Sequence, residues 1–304
     1  MLRLINRIVL IVCLALSTVT MLSAQTPTFS FGIVADIQYD NENPNGKRNN
    51  TASIRKLTDC VADWNAKPLA FTIQLGDIID GNVTPEATML DLHNVMDVLV
   101  NLRHPLYHVV GNHCVNIQRT KLLKQLSLDR AYYAFVREGW RFIILDCMDV
   151  SMKGRAPGSE QYDRALAYRA DNPEAKESGG GISDAQKYWL AAQLQMAGRR
   201  GERVMIFSHR SIFNPDKAES VLIWNAADVR SLIDANDHVA VAFNGHHHEG
   251  GYGLRNGVHY VTLEGMVQAP ETGNGYGVVD VYEDWIEIMG IGNVTSRVLQ
   301  FGGK

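Results

Sequence analysis

The sequence has few cysteines, no large excess of either charge and no apolar run long enough to cross a bilayer, and each shortage removes a class of protein. Cysteines number four in 304 residues, and Cys60, Cys114 and Cys147 stand too far apart and are too few to form a disulfide framework. One bridge is allowed and none is required. A formal net charge of -4 argues against binding to nucleic-acid backbone, which needs a basic face. The most apolar stretch, Ile8 to Val19, is shorter than the roughly 20 residues of a membrane span and is interrupted by Ser17 and Thr18. No internal repeat or low-complexity tract occurs. What is present is 46% hydrophobic residues, enough to bury a full core.

Arg3 and Arg7 precede that apolar stretch, and small and polar residues ending Leu22-Ser23-Ala24 follow it. This order predicts a secretory signal peptide over residues 1–24, with an uncleaved membrane anchor as the competing reading. Cleavage would remove two arginines and Cys13, so the net charge of residues 25–304 becomes -6. The expected mature protein is one domain, exported to a periplasm or secreted, with no membrane span.

The strand-like run Phe29 to Ala35 stops at Asp36, and residues 40–50 carry loop chemistry. Ile54, Leu57, Val61 and Trp64 then recur at helical spacing, with Thr51 or Ser53 near the start. Leu69 to Leu75 predicts a strand ending at Gly76-Asp77, which completes a βαβ unit. A helix over 85–102 and a strand over 106–110 repeat the pattern up to Gly111-Asn112-His113. Further strands are predicted over 140–145, 203–207, 239–243, 258–263, 277–282 and 285–291, with helices over 183–197 and 226–234. Early alternation followed by three consecutive strands predicts an α/β fold, a sandwich of two mixed sheets flanked by helices. Residues 151–181 are polar and aperiodic and read as a surface insertion, and the glycines at 179, 180 and 181 suit either a moving lid or a passive loop.

Asp36, Asp77, Asn112, His209 and His246 each close an apolar, strand-like run. In a layered α/β fold those strand ends meet at one rim, where ligands bind. Oxygen and imidazole donors arriving there on separate loops can enclose two divalent ions, one carboxylate bridging them, and leave positions open for water and substrate. Side chains two apart on a strand end share a side, which pairs Asp36 with Gln38 and His246 with His248 and turns His247 away. Singly, Asp-x-Gln, Gly-Asp and Ser208-His209 are ordinary turn or core features. Gly-His-x-His is more telling, and the ordered set decides for a metal site.

The set resembles the signature of the calcineurin-like metallophosphoesterases across essentially all of residues 25–304. Its details are similar to the manganese-dependent ADP-ribose/CDP-alcohol diphosphatases, through IVADIQY at 33–39, QLGDIIDG at 74–81, HVVGNH at 108–113 and GVHYVTLEG at 257–265 leading to Ala269-Pro270. Gln38 is discriminating, since most of the superfamily carries histidine there. The resemblance implies a four-layer αββα sandwich, with Asp36, Gln38 and His248 on one ion, Asn112, His209 and His246 on the other, Asp77 between them and His113 as the catalytic residue. An amide oxygen in place of an imidazole hardens the first site and favours Mn²⁺, with Mg²⁺, Fe or Zn²⁺ as other choices. Cys114 stands where the family commonly has Glu or Asp after Gly-Asn-His, so an acidic partner for His113 is expected to be missing. Its thiol reads as loop packing or, as the lesser alternative, as a group that reaches a metal or oxidises.

The chemistry implied is hydroxide bridging two ions attacking phosphorus in line, with His113 protonating the departing oxygen. The expected partner is a small phosphorylated molecule, an ADP-ribose or CDP-alcohol type of diphosphate cleaved to two monophosphates. Tyr39 and Trp224 are candidates to stack on a nucleobase, with a core role competing for Trp224, and Lys47 and Arg48 could meet a second phosphate. A phosphodiesterase or phosphomonoesterase acting outside the cytoplasm on other esters is the alternative enzyme. A metal-binding module without catalysis is the alternative from another class.

Overall fold

The computed structural model describes residues 25–42 and 48–301, so the leader assigned to residues 1–24 and Lys47 lie outside the described residues. The first strand, β1 (Phe29–Val34), shows why the fold has four layers. Phe31 and Ile33 point into an aromatic core between two sheets, while Val34 joins the second core beneath the helices. A strand buried on both faces has no polar alternation. Gly32 is needed because Trp64 of α1 (Ser53–Asn65) fills the space a side chain would take: an added Cβ would lie 2.6 Å from its ring.

Three parallel strands, β1, β2 (Phe71–Gln74) and β3 (Leu106–His108), are linked through α1 and α2 (Pro85–Leu99). Thr84 caps α2 by accepting from Ala87 N–H, and Pro85 opens its first turn, where no amide partner is lost. After α3 (Arg119–Gln125), the chain builds the second sheet with β4 (Tyr133–Arg137) and β5 (Trp140–Ile144). Next come α4 (Glu160–Asp171), α5 (Asp184–Arg200), β6 (Arg203–Ser208), α6 (Ala226–Asp234), β7 (Val239–Asn244), β8 (Gly251–Arg255) and β9 (Val258–Thr262). It returns to the first sheet with β10 (Gly275–Val281), β11 (Trp285–Gly292) and β12 (Arg297–Gln300). The six-stranded sheets are ordered β12-β11-β10-β1-β2-β3 and β4-β5-β6-β7-β9-β8. Between them, the Phe31 ring stacks on Phe71 at 4.8 Å and meets Phe142, Phe207 and Phe243 edge-on at 6.2, 6.3 and 6.4 Å. Each such pair contributes about 0.5–1.5 kcal/mol beyond its buried area. No helix among the described residues is long and apolar enough to cross a membrane.

The predicted sandwich is the one observed, with two corrections. The strands near 258–263 and 277–282 do not belong to one run, because β9 lies in the second sheet and β10 in the first. Residues 151–181 are not structureless: they hold α4, capped by Ser159, whose one buried residue is Ala165. Without an apolar stripe, that helix left no period to read.

The insertion is also pinned. Val150 and Gly181 exchange both backbone hydrogen bonds at 2.9 Å, closing its neck. Side chains at Gly179, Gly180 and Gly181 would collide with the Trp224 indole, the Cys147 carbonyl and Asn225. These glycines make room for close packing, which argues against the hinge of a lid.

Candidate metal centre

Seven non-glycine residues among those described have positive φ, and four are the predicted ligands Asp36 (50°), Gln38 (43°), Asp77 (48°) and His246 (69°). Left-handed backbone costs an L-residue on the order of 1–2 kcal/mol, so its concentration here marks a site held in place by its surroundings. The holding bonds are Gln38 N–H to Asp77 O at 2.8 Å and Asp36 N–H to Gly76 O at 3.3 Å. The side chains converge through these reversed turns rather than through the strand pleat expected from their i, i+2 spacing.

His209 lies at the centre, fully buried. Its Nδ1 is 2.9 Å from the Leu75 carbonyl and donates to it, which leaves Nε2 facing inward. Around Nε2 stand Asp77 Oδ2 at 3.0 Å, Asn112 Oδ1 at 3.1 Å and His246 Nδ1 at 3.2 Å. Burial lowers the His246 pKa well below its usual value, with the Arg210 charge adding to the effect, so its ring stays neutral and offers a lone pair. Burial opposes protonation of His209 too, but the Asp77 carboxylate outweighs it and raises the imidazole's pKa. Burial likewise works against the Asp77 charge, and the surrounding histidines, His209 first, hold that carboxyl ionised. One proton on Nε2 can serve only one of three neighbouring acceptors. A divalent cation serves all of them, and this donor set fits one.

Beside this cluster, Asp36 is fully buried and accepts from His246 N–H at Oδ2, 2.8 Å away. Its Oδ1 has no hydrogen-bond partner and stands 3.3 Å from His248 Nε2. An orphaned carboxylate oxygen next to an imidazole is a second place that a cation satisfies. The Gln38 carbonyl is fixed by Arg48, whose Nη1 donates to Oε1 at 3.2 Å, so oxygen rather than nitrogen can be presented. Glycines give the centre its space: a Cβ at Gly245 would lie 2.5 Å from Asp36 Oδ2, and one at Gly111 would overlap Asp77 Oδ1.

His113 is oriented from two sides. Its N–H donates to Asp77 Oδ1 at 2.7 Å, and its Nδ1 lies 2.5 Å from the Asp80 carbonyl and 3.1 Å from Asp80 Oδ1. Burial lowers its pKa, but Asp77 and Asp80 more than compensate and raise it to about 9. The acidic partner expected to be missing at position 114 is therefore supplied by Asp80. Cys114 is buried in the core, its thiol pushed up to about 12 by burial and by the Asp77 charge, so it is a packing residue and not a thiolate. Cys60 and Cys147 are likewise buried and free.

Residues 29–250 match the family described as calcineurin-like phosphoesterase. The chain belongs to the calcineurin-like phosphoesterases. The chain is similar to a manganese-dependent ADP-ribose/CDP-alcohol diphosphatase of Bos taurus, 34% identical over 90% of this chain and 94% of that one. A protein of the same name from Oryza sativa subsp. japonica is 31% identical over 92% and 96%. Among solved structures, a dimetal phosphatase from Danio rerio superposes with a TM-score of 0.82 at 29% identity, covering 91% of this chain and all of that one. The GAP50 anchor of the Plasmodium inner membrane complex shares the fold at a TM-score of 0.59 and 12% identity. Like its family, this phosphoesterase is a metal-dependent hydrolase of phosphoric esters or anhydrides.

The substrate candidates fare differently. Tyr39 is only 8% exposed, packs in the helix-side core and engages Asn94, so it cannot serve as a stacking platform. Trp224 already stacks on Tyr168 of α4 at 5.3 Å and donates its indole N–H to the Lys176 carbonyl, so it anchors the insertion. Arg48 stands at the edge of this phosphoesterase's centre, between Gln38 and Asp80, with its Nη1 3.5 Å from Asp80 Oδ1. Two contributors escaped the sequence reading. Asp80 was visible three residues after Asp77. Fully buried Lys56 interrupts the apolar stripe of α1 and donates to the carbonyls of Met266 and Ala269 at 3.2 and 2.7 Å. That loop in turn bonds Ala35 O and Asp36 O through Met266 N–H and Val267 N–H, so Lys56 steadies Asp36 from behind.

Proposed function

We propose that this phosphoesterase hydrolyses the diphosphate of ADP-ribose or CDP-alcohol type compounds to two monophosphates, with manganese as its metal. The observation that carries the reading is the convergence of buried lone pairs on His209 Nε2, with an amide oxygen, Gln38 Oε1, in the neighbouring half of the centre. Similarity to the named diphosphatases along nine-tenths of both chains supports the substrate class. Asp36, Gln38 and His248 would hold one ion and Asn112, His209 and His246 the other, with Asp77 shared. Two such ions would supply an acidified water as nucleophile and positive charge for the phosphate oxygens.

The protein's own groups do the rest. Asp77 stays ionised among three histidines, and His209 is kept in one tautomer by the Leu75 carbonyl. His113, held by Asp80 and the Asp77 carboxylate, keeps a proton for the departing oxygen. A hard amide oxygen at position 38 favours Mn²⁺ over Zn²⁺. The basic, apolar and small-residue order of residues 1–24 supports reading them as a cleaved leader and the enzyme as exported.

The test is turnover of ADP-ribose, CDP-choline, a cyclic nucleotide and a simple monoester with Mn²⁺, Mg²⁺ or Zn²⁺ after chelation. Cleavage of the two diphosphates, strongest with Mn²⁺, is expected. Good monoesterase activity with neither diphosphate cleaved would overturn the substrate class and leave the metal centre standing.

A further inference from the structure

Next to His113, the turn at residues 115–120 and the start of the insertion enclose an open cavity of about 600 Å³. Three cationic side chains line it: Arg119, Lys153 and Arg155. Arg119 is 9% exposed and pairs with the buried carboxylate of Asp146, yet its Nη1 is buried without a partner. Arg155 gives one nitrogen to the Asp149 carbonyl at 3.2 Å, and its Nε is also buried and unpartnered. Lys153 Nζ lies 3.5 Å from the carbonyl oxygen of Asn112, one of the proposed metal ligands.

A folded chain rarely leaves guanidinium donors unsatisfied, and here two residues that line one cavity each keep a buried, unpartnered nitrogen behind its wall. Asp146 answers the charge of Arg119 through that residue's other nitrogen and also accepts from Met148 N–H, while Asp149 Oδ2 is taken up by Ser183 and Gln186, so Arg155 has the nearby charge of Asp149 but, among the described residues, no direct carboxylate bond. Burial first, and the like charge of Arg155 second, bring the Arg119 pKa down to about 10 against the opposing charge of Asp149, so the two cations stand close enough to feel each other. The wall is also rigid. Gly154, between Lys153 and Arg155, has φ +69° and sits so close to Val115 that a Cβ would lie 2.9 Å from the valine side chain.

We infer that this cavity is an anion subsite that receives the second phosphate, and the sugar or alcohol attached to it, of a substrate whose first phosphorus lies at the metal centre. The inference rests on the diphosphate reading above and extends it by naming where the distal half sits. The Lys153 ammonium, next to Asn112, is placed to meet the second phosphate first, because the two phosphorus atoms of a diphosphate share one oxygen. The guanidinium groups of Arg155 and Arg119 lie behind it, where a fork of N–H donors matches phosphate oxygens. The volume falls within the range of about 300–1,000 Å³ common for small-molecule pockets.

The test compares ADP-ribose with bis-p-nitrophenyl phosphate, which has one phosphorus, on the Mn²⁺-loaded enzyme. ADP-ribose is measured as a competitor of bis-p-nitrophenyl phosphate turnover, a readout that works whether or not it is cleaved. Its cleavage by the wild type, scored separately, decides the diphosphatase reading. For Lys153→Gln and Arg155→Gln, the ratio of the ADP-ribose inhibition constant to the bis-p-nitrophenyl phosphate KM should rise about tenfold or more, the worth of a charge-assisted hydrogen bond. Lys153→Arg should restore most of the ratio. An unchanged ratio in Lys153→Gln, whether both ligands weaken equally or neither does, would overturn the subsite even if Arg155→Gln fails to fold.

Discussion

Gly76→Ala measures what the turn after β2 does for His209. Gly76 has φ +99°, and an added Cβ would lie 2.5 Å from Nδ1 and 2.8 Å from Cγ of the imidazole. Restoring an ordinary contact of about 3.5 Å requires the ring to move by close to ~1 Å. That movement opens the 2.9 Å bond to Leu75 and withdraws Nε2 from Asp77, Asn112 and His246. Gly139→Ala is the control. Gly139 has φ +76° in the turn between β4 and β5, but nothing lies within 4 Å of its added Cβ, so the change adds strain alone. Both variants should lose about 1–2 kcal/mol through backbone strain, a few degrees in Tm. Gly76→Ala alone should also raise the Mn²⁺ concentration for half-maximal activity about tenfold or more and cut kcat/KM about 100-fold. Mn²⁺ titration of bis-p-nitrophenyl phosphate turnover, run beside thermal melts, separates the two effects. If Gly76→Ala loses stability but keeps the wild-type Mn²⁺ dependence, His209 is not a ligand set by this turn.

Asp80→Asn should reduce kcat on ADP-ribose by about 10–100-fold, because His113 loses the carboxylate charge that favours its protonated form, although the Asp80 carbonyl still holds Nδ1. The sign of its pH effect follows from His113 being raised to about 9: the protonated acid persists below that pH, so losing Asp80 moves the basic limb of the kcat profile downward. A limb that does not move would detach Asp80 from that proton. Gln38→His should lower Mn²⁺-supported turnover and raise the Zn²⁺ to Mn²⁺ activity ratio, and an unaltered ratio would count against Gln38 as a ligand. Stripping metal with a chelator should lower Tm, and Mn²⁺ at 100 times its Kd should restore about 2.7 kcal/mol. A melt indifferent to Mn²⁺ would contradict the clustered-acceptor reading of Asp77, Asn112, His209 and His246.

The sandwich and the metal-site candidates were legible because both depend on local pattern. Apolar runs such as Phe29 to Ala35 are strands that end at the rim, and each candidate ligand stands within a few residues of such an end. What the sequence hid depends on contacts between distant segments. Edge strand β4 (YAFVR) buries no residue fully, edge strand β8 (GYGLR) is broken by glycines, and α4 buries one residue, so none of the three shows a clear period. The Asp80 to His113 contact spans 33 residues and exists only because β2 and β3 are parallel neighbours. Tyr39 and Trp224 looked like nucleobase platforms because aromatic residues near ligands attract that reading. Their surroundings, Asn94 and Tyr168, are unreadable without the fold. Left-handed turns at Asp36, Gln38, Asp77 and His246 do the aiming that strand pleat was expected to do.

The paired backbone bonds between Val150 and Gly181 have a bearing on how this chain can change over time. The two sheets meet the intervening residues as a loop whose ends are already joined, and loop-closure entropy grows only with the logarithm of length, about 0.6 kcal/mol per doubling. That segment can lengthen, shorten or be swapped while the rim holding Asp36, Asp77 and His209 keeps its geometry. The cationic wall at Lys153 and Arg155 thus rides on an exchangeable cassette. Divergence toward new phosphorylated compounds can proceed there without first dismantling the hydrolytic machinery.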